Sequence, residues 1–278
     1  MQTVSANGAN IPALGFGTFR MPGPDVLRIV PQAIKLGFRH IDTAQIYRNE
    51  AEVGEAIEAS GVARSDIFLT TKVWVDHYKH ADFLASVDES LKKLRTDYVD
   101  LLLLHWPSSG VPLAEQIGAL NDVRTAGKVK NIGVSNFNTA LMAQSVALSQ
   151  APIATNQIEY HPYLDQTKVL DAARATGMSI TAYYAMADGK VPNEPLLKDI
   201  GTRHGKTAAQ VVLRWLTQQK DVITLSKTAT ESRLTENFDI FDFDLSSEEM
   251  ALIHKLARPN GRIVSPGGLA PDWDRADR

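Results

Sequence analysis

The chain has 278 residues, 44% hydrophobic and 22% charged, with a net charge of −3; that length suits one large α/β domain, and the mix is that of a soluble globular protein. The charge balance argues against general nucleic-acid binding, and the lack of cysteine excludes disulfides and thiolate-held metal. No run approaches the ~18 apolar residues of a membrane span, and Met1-Gln2-Thr3-Val4-Ser5 lacks the pattern of a secretory signal, so a cytoplasmic protein with no membrane partner is expected.

Along the chain, Asn7-Gly8 between short flanks predicts a hairpin, placed as a lid over one end of a barrel. Apolar strands then alternate with amphipathic helices. Strand 14–18 precedes helix 25–36, in which Pro31 should kink or shorten the helix. Strand 38–42 precedes helix 50–60, strand 67–72 helix 82–94, and strand 99–105 helix 113–126. Strand 130–135 precedes helix 139–148, and strand 155–160 helix 166–176. Strand 179–184 is followed by an extra helix over 191–204 and then helix 207–219. Strand 222–225, helix 230–238 and a second extra helix over 246–256 complete the series. Glycines at 37, 61, 127 and 177 sit where helices should end. Eight such strands can close into a (β/α)₈ TIM barrel. The tail 258–278 is expected to lie over the mouth, and nothing along residues 1–278 argues for a second domain.

Three of these strands end in ionisable groups. Asp42 closes the second, with Tyr47 five residues on; Lys72 closes the third and His105 the fourth. A parallel barrel gathers these ends at one mouth, where such folds carry their chemistry. A phenol is a poor acid at neutral pH, but a neighbouring ammonium favours the phenolate and should lower its pKa. Asp42 would hold Lys72 charged, and His105 would orient a substrate oxygen. The group suits protonation of an oxygen gaining negative charge, as in hydride addition to a carbonyl. Singly, each has a bland reading, as a structural ion pair or a packed ring; their joint occurrence carries the functional one. His77 and His80 read as a solvated segment, since no third ligand stands near them.

Several longer motifs support a resemblance. Gly37-Phe38-Arg39-His40-Ile41-Asp42-Thr43-Ala44, Tyr47-Arg48-Asn49-Glu50, Thr71-Lys72-Val73-Trp74, His105-Trp106-Pro107, Ile132-Gly133-Val134-Ser135-Asn136-Phe137 and Asn156-Gln157-Ile158-Glu159 resemble the aldo-keto reductase family. The end, Arg262-Ile263-Val264-Ser265-Pro266-Gly267-Gly268-Leu269-Ala270-Pro271-Asp272-Trp273, is similar to that of its short bacterial B-type 2,5-diketo-D-gluconate reductases. The resemblance implies Tyr47 as proton donor, Lys72 as its modulator, Asp42 as partner of Lys72 and His105 as the orienting group. It implies a nicotinamide dinucleotide held without a Rossmann domain. Consistently, Gly15-Phe16-Gly17-Thr18-Phe19-Arg20 lacks the third glycine of the dinucleotide fingerprint.

By the same resemblance Ser135, Asn136 and Gln157 would hold the carboxamide, and Tyr183 would stack on the nicotinamide. Ser226, Lys227, Thr228, Arg233, Glu236 and Asn237 would meet the adenosine end. Lys227 and Arg233 together favour NADP(H) over NAD(H) through charge-assisted bonds to a 2′-phosphate; without the resemblance they read as solvated surface cations. The family pattern continues Ser-Pro-Leu after the stacking tyrosine, where this chain has Tyr184-Ala185-Met186. Phe19, Trp74 and Trp106 are candidates for an aromatic substrate pocket. The expected ligand is a small carbonyl compound, with methylglyoxal and 2,5-diketo-D-gluconate as candidates. A monomer is expected by analogy. Two rivals remain open at this stage: a non-redox barrel isomerase or lyase using Lys72 as a Schiff base, and a regulatory module that binds cofactor without turnover.

Overall fold

The computed structural model describes residues 2–108 and 110–274. Strands β1 (Thr3–Ala6) and β2 (Ala9–Pro12) form the antiparallel hairpin. Its turn residues Asn7 and Gly8 both take positive φ, at 46° and 88°, as a two-residue hairpin turn requires. Val4, Ala9 and Ile11 pack onto Leu101, Leu103, Ala154 and Ile223 inside the barrel. The Asn7 amide donates to the carbonyls of Ile153 and Thr176, so the hairpin stoppers the end opposite the mouth.

The barrel consists of β3 (Leu14–Gly17), β4 (His40–Asp42), β5 (Phe68–Val73), β6 (Val99–Leu104), β7 (Val129–Ser135), β8 (Ile153–Glu159), β9 (Ser179–Tyr183) and β10 (Val222–Ser226). All pairs are parallel, and β10 closes on β3. Around it run α1 (Gly23–Leu36), α2 (Glu50–Ala59), α3 (His80–Lys93), α4 (Leu113–Thr125), α5 (Thr139–Leu148), α6 (Thr167–Ala175), α7 (Pro195–His204), α8 (Ala208–Gln218), α9 (Glu231–Phe238) and α10 (Ser247–His254).

Burial on both faces explains the apolar runs. In β6, Leu101 and Leu103 pack in the barrel interior, while Leu102 and Leu104 join the layer beneath the helices. Side chains alternate along a strand, and paired residues share a face. Asp42 pairs with Thr70, Lys72 with Leu103, and Ser135 with Gln157, so these polar groups belong to the inward set at the mouth end. Space there is tight: a Cβ on Gly133 would fall 2.6 Å from Leu103 Cδ2 and 2.8 Å from the Thr155 carbonyl.

Three features depart from expectation. The helix around Pro31 is not shortened, because Ile29, Val30, Ala33 and Ile34 are buried on both sides of it. The segment read as one helix over 191–204 is a 3₁₀ turn, Val191–Asn193, followed by α7. Glu194 precedes Pro195 and is extended at φ −72°, ψ 119°, as the clash with a following proline demands. In the second extra helix and in helix 207–219, Ser246 and Thr207 stand outside as N-caps, each closing a capping box with Glu249 or Gln210.

The described part of the tail lies over the mouth. The buried Glu159 carboxylate, at the end of β8, accepts from the backbone N–H groups of Ile263 (2.7 Å) and Val264 (2.8 Å). Asp274 caps the start of α5 through the Thr139 amide and hydroxyl. Residues 275–278, the last of the predicted tail, lie outside the described set.

Candidate active site

Lys72 is the centre of the site. Its ammonium, wholly buried, donates to Asp42 Oδ1 (2.6 Å), to the Thr43 carbonyl (2.9 Å) and to the Tyr47 hydroxyl (3.4 Å). Tyr47 rides on the 3₁₀ turn Gln45–Tyr47, ended by Arg48 in the left-handed region at φ 58°. Buried Asn49 pins that turn: its amide donates to the carbonyls of Thr18 and Met21 and accepts from Thr43 Oγ1. From the other side Gln45 Oε1 accepts from the Trp74 backbone N–H. His105 follows β6 directly, with its ring edge-on to Tyr47 at 5.6 Å and to Trp74 at 5.2 Å. The four polar strand-end residues therefore converge on one point.

Burial dominates their electrostatics. It pushes the Tyr47 phenol well above its ordinary value, and the Asp42 charge adds to the rise. The expected lowering by Lys72 is overturned in the free protein, because desolvation and the carboxylate together outweigh the ammonium. Burial also lowers the Lys72 ammonium against the upward pull of Asp42. His105 is held well below its ordinary value by burial and then by Lys72, so it is a neutral imidazole. Its buried Nδ1 has no partner among the described residues. A proton on Nε2 leaves only a lone pair unsatisfied there, which makes Nε2–H the available donor.

His40, fully buried one layer below, is driven to about 4 by burial, partly offset by Asp42. With His105 it gives the protein an acid weakness. The unfolded chain takes up protons near pH ~6.5 that the native state refuses, so stability rises with pH across that window. We expect unfolding free energy from urea titrations to fall by at least roughly 3 kcal/mol between pH ~7 and ~4. A flat profile would contradict buried neutral imidazoles.

The carboxamide candidates flank the same point. Ser135 Oγ donates to the Gln157 carbonyl (2.8 Å), and Asn136 Nδ2 donates to the His105 carbonyl (3.0 Å). Tyr183 donates its hydroxyl to Asn136 Oδ1 (2.5 Å). Asn136 sits at φ 63°, a conformation asparagine tolerates better than most residues. Gln157 Nε2 donates to Asp42 Oδ2 (2.8 Å).

The adenosine candidates gather around an open cleft of about 590 Å³ whose lining includes Lys227, Arg233, Glu236 and Asn237. Lys227 and Arg233 are exposed, which suits capture of an anion from water. Ser226 and Thr228 do not line it. Thr228 is spent on its own turn with Thr230, whereas the buried Ser226 hydroxyl lacks a partner among the described residues. Two cations with a carboxylate and an amide beside them could hold an anionic, polar group of a ligand. In the Tyr184-Ala185-Met186 segment, Tyr184 is left-handed at φ 62°, and Met186 enters the cleft wall.

Of the aromatic candidates, Phe19 is 40% exposed with its ring 5.0 Å from Tyr47, and Trp74 adjoins His105. Trp106 is nearly buried and meets Trp273 of the tail at 6.3 Å. Trp273 was not singled out from sequence as a site residue. The signal available was an aromatic ring in a tail expected to cover the mouth. Thr43 was also missed, because it contributes a backbone carbonyl, which no side-chain pattern advertises.

The model of the Aldo/keto reductase family matches residues 13–258. The chain belongs to the aldo-keto reductase family. It is 45% identical over 268 residues to the methylglyoxal reductase DkgB of Yersinia pestis, covering 95% of this chain and 100% of that one. It is 39% identical over 251 residues to a glyoxal reductase of Bacillus subtilis, covering 90% of each. A solved structure described as a 2,5-diketo-D-gluconic acid reductase B superimposes with a TM-score of 0.98 at 74% identity, covering 99% of this chain and 98% of that one. As an aldo-keto reductase the protein is an oxidoreductase, and the family's redox partner is a nicotinamide cofactor.

Proposed function

We propose that this aldo-keto reductase uses NADPH to reduce aldehydes and ketones to alcohols, with small dicarbonyls such as methylglyoxal and 2,5-diketo-D-gluconate as substrates. The observation carrying this reading is the Lys72 ammonium held between Asp42 Oδ1 and the Tyr47 hydroxyl at the barrel mouth. NADPH, when bound, supplies the hydride. Tyr47, protonated throughout the working pH range, donates its proton to the substrate oxygen. The ammonium beside it offsets the phenolate that remains, and Asp42 keeps that ammonium charged. His105, neutral, donates from Nε2 to the same oxygen and orients the carbonyl. Phe19, Trp74 and Trp106 furnish apolar walls, with the tail above them, which limits water at the reacting carbon. The names of the relatives support the choice of substrates.

The Schiff-base alternative fits poorly. It needs a free neutral amine, whereas the Lys72 nitrogen is buried and hydrogen-bonded to Asp42, Thr43 and Tyr47.

Ser135, Asn136, Gln157 and Tyr183 would hold the nicotinamide end, and Lys227 and Arg233 the 2′-phosphate. A charge-assisted bond to phosphate is worth roughly 10- to 100-fold. Arg233→Ala with Lys227→Ala should therefore lower kcat/KM for NADPH by at least about that factor while leaving NADH within ~3-fold. Equal losses with both cofactors would show that these cations do not read the 2′-phosphate and would remove the argument for NADPH.

A further inference from the structure

We infer that Gln157 is a positioning residue for the proton donor as well as a contact for the cofactor; this rests on the reductase reading above. A carboxylate can only accept hydrogen bonds. The 2.8 Å contact with Asp42 Oδ2 therefore fixes the amide nitrogen of Gln157 toward Asp42 and turns its oxygen away. That oxygen is the atom left to accept an N–H from the nicotinamide carboxamide. Asp42, which is 2% exposed, thus receives Gln157 on one oxygen and Lys72 on the other, and Lys72 reaches Tyr47. One amide joins the cofactor position to the acid through three hydrogen bonds in series, Gln157–Asp42, Asp42–Lys72 and Lys72–Tyr47. Removing its donor leaves Asp42 Oδ2 unsatisfied in a site without water-like surroundings and frees the carboxylate to rotate away from Lys72. Its effect reaches the reaction through Asp42 and Lys72, so it should appear in kcat and not only in cofactor affinity.

Gln157→Glu separates the two roles. The introduced carboxylate can still accept from a carboxamide, so any loss of NADPH affinity, read by quenching of protein fluorescence, should be smaller than the loss in kcat. It can donate to Asp42 only when protonated. Next to Asp42 it should take up a proton well above the ordinary ~4.3 of a glutamate. At pH ~8 kcat should be down roughly 10- to 100-fold, and the ratio of variant to wild type should recover as pH falls toward ~5.5. The other titratable groups facing this pair are Lys72, Tyr47 and His40 around Asp42, with His105 and Glu50 facing Lys72. All are common to both proteins, so to first order they cancel in the ratio.

A second reading needs no cofactor or turnover. In the ligand-free protein the native state raises the introduced carboxyl's pKa above its unfolded value. The variant's Tm deficit should accordingly widen as pH rises from ~5 to ~8. A deficit independent of pH would show that position 157 does not sense Asp42, and would overturn the inference. A kinetic loss that is constant with pH, or one confined to NADPH affinity, would overturn it as well. If wild type turned over no carbonyl substrate, the reductase reading would fail, and the pH-dependent Tm deficit would still report whether Gln157 braces Asp42.

Discussion

Tyr47→Phe should lower kcat for carbonyl reduction by about 10²- to 10⁴-fold, the usual worth of a positioned general acid, with little change in NADPH affinity. The ring packs against Phe19 at 5.0 Å and edge-on to His105 at 5.6 Å, and phenylalanine keeps both contacts. Only the hydroxyl is lost, 3.4 Å from the Lys72 ammonium. His105 is neutral and can still orient the carbonyl through Nε2–H, but nothing remains to deliver the proton. The thermal midpoint should move little, because the hydroxyl's long contact with Lys72 contributes little to the fold. Steady-state rates beside cofactor titrations check this. A variant retaining more than about a tenth of wild-type kcat would relieve Tyr47 of the acid role.

Lys72→Met should be as damaging to catalysis and far more damaging to the fold. Lys72 and Asp42 form a buried pair at 2.6 Å, with side chains 0% and 3% exposed. Removing one partner leaves an uncompensated charge, which costs about 3–5 kcal/mol. Gln157 still donates to Asp42 and should keep the loss nearer the lower figure. Adding Asp42→Asn removes the stranded charge, so the double variant should regain much of the stability and none of the activity. That separation distinguishes a group that acts on Tyr47 from one that only holds the barrel together. Recovery of turnover in the double variant would contradict the role given to Lys72.

The barrel was legible because parallel strands buried on both faces are largely apolar, so an ionisable residue at a strand's end stands out. Asp42, Lys72 and His105 stand out in this way at the ends of the second, third and fourth barrel strands. The length of the helix at Pro31 and the start of α7 differ from expectation for opposite reasons. Packing of Ile29 and Ala33 sustains a helix that local propensity would break, while Pro195 ends a helical-looking run that packing does not rescue. The direction of the Tyr47 shift was not legible. It depends on how deeply the ring is covered and on Asp42 lying close behind Lys72, which only the folded arrangement determines. The Gln157 contact with Asp42 joins residues 115 apart in sequence, and no local pattern announces it. The roles of Lys227 and Arg233 came from resemblance alone. The fold brings both to one cleft with Glu236 and Asn237, and their role toward a 2′-phosphate stands as a proposal.

The most direct test of the account is consumption of reduced nicotinamide by the purified protein, followed by absorbance, with methylglyoxal and 2,5-diketo-D-gluconate offered separately with NADPH. The account predicts stoichiometric oxidation of NADPH and formation of the alcohol with at least one of them. Saturable NADPH binding with neither carbonyl reduced would contradict it.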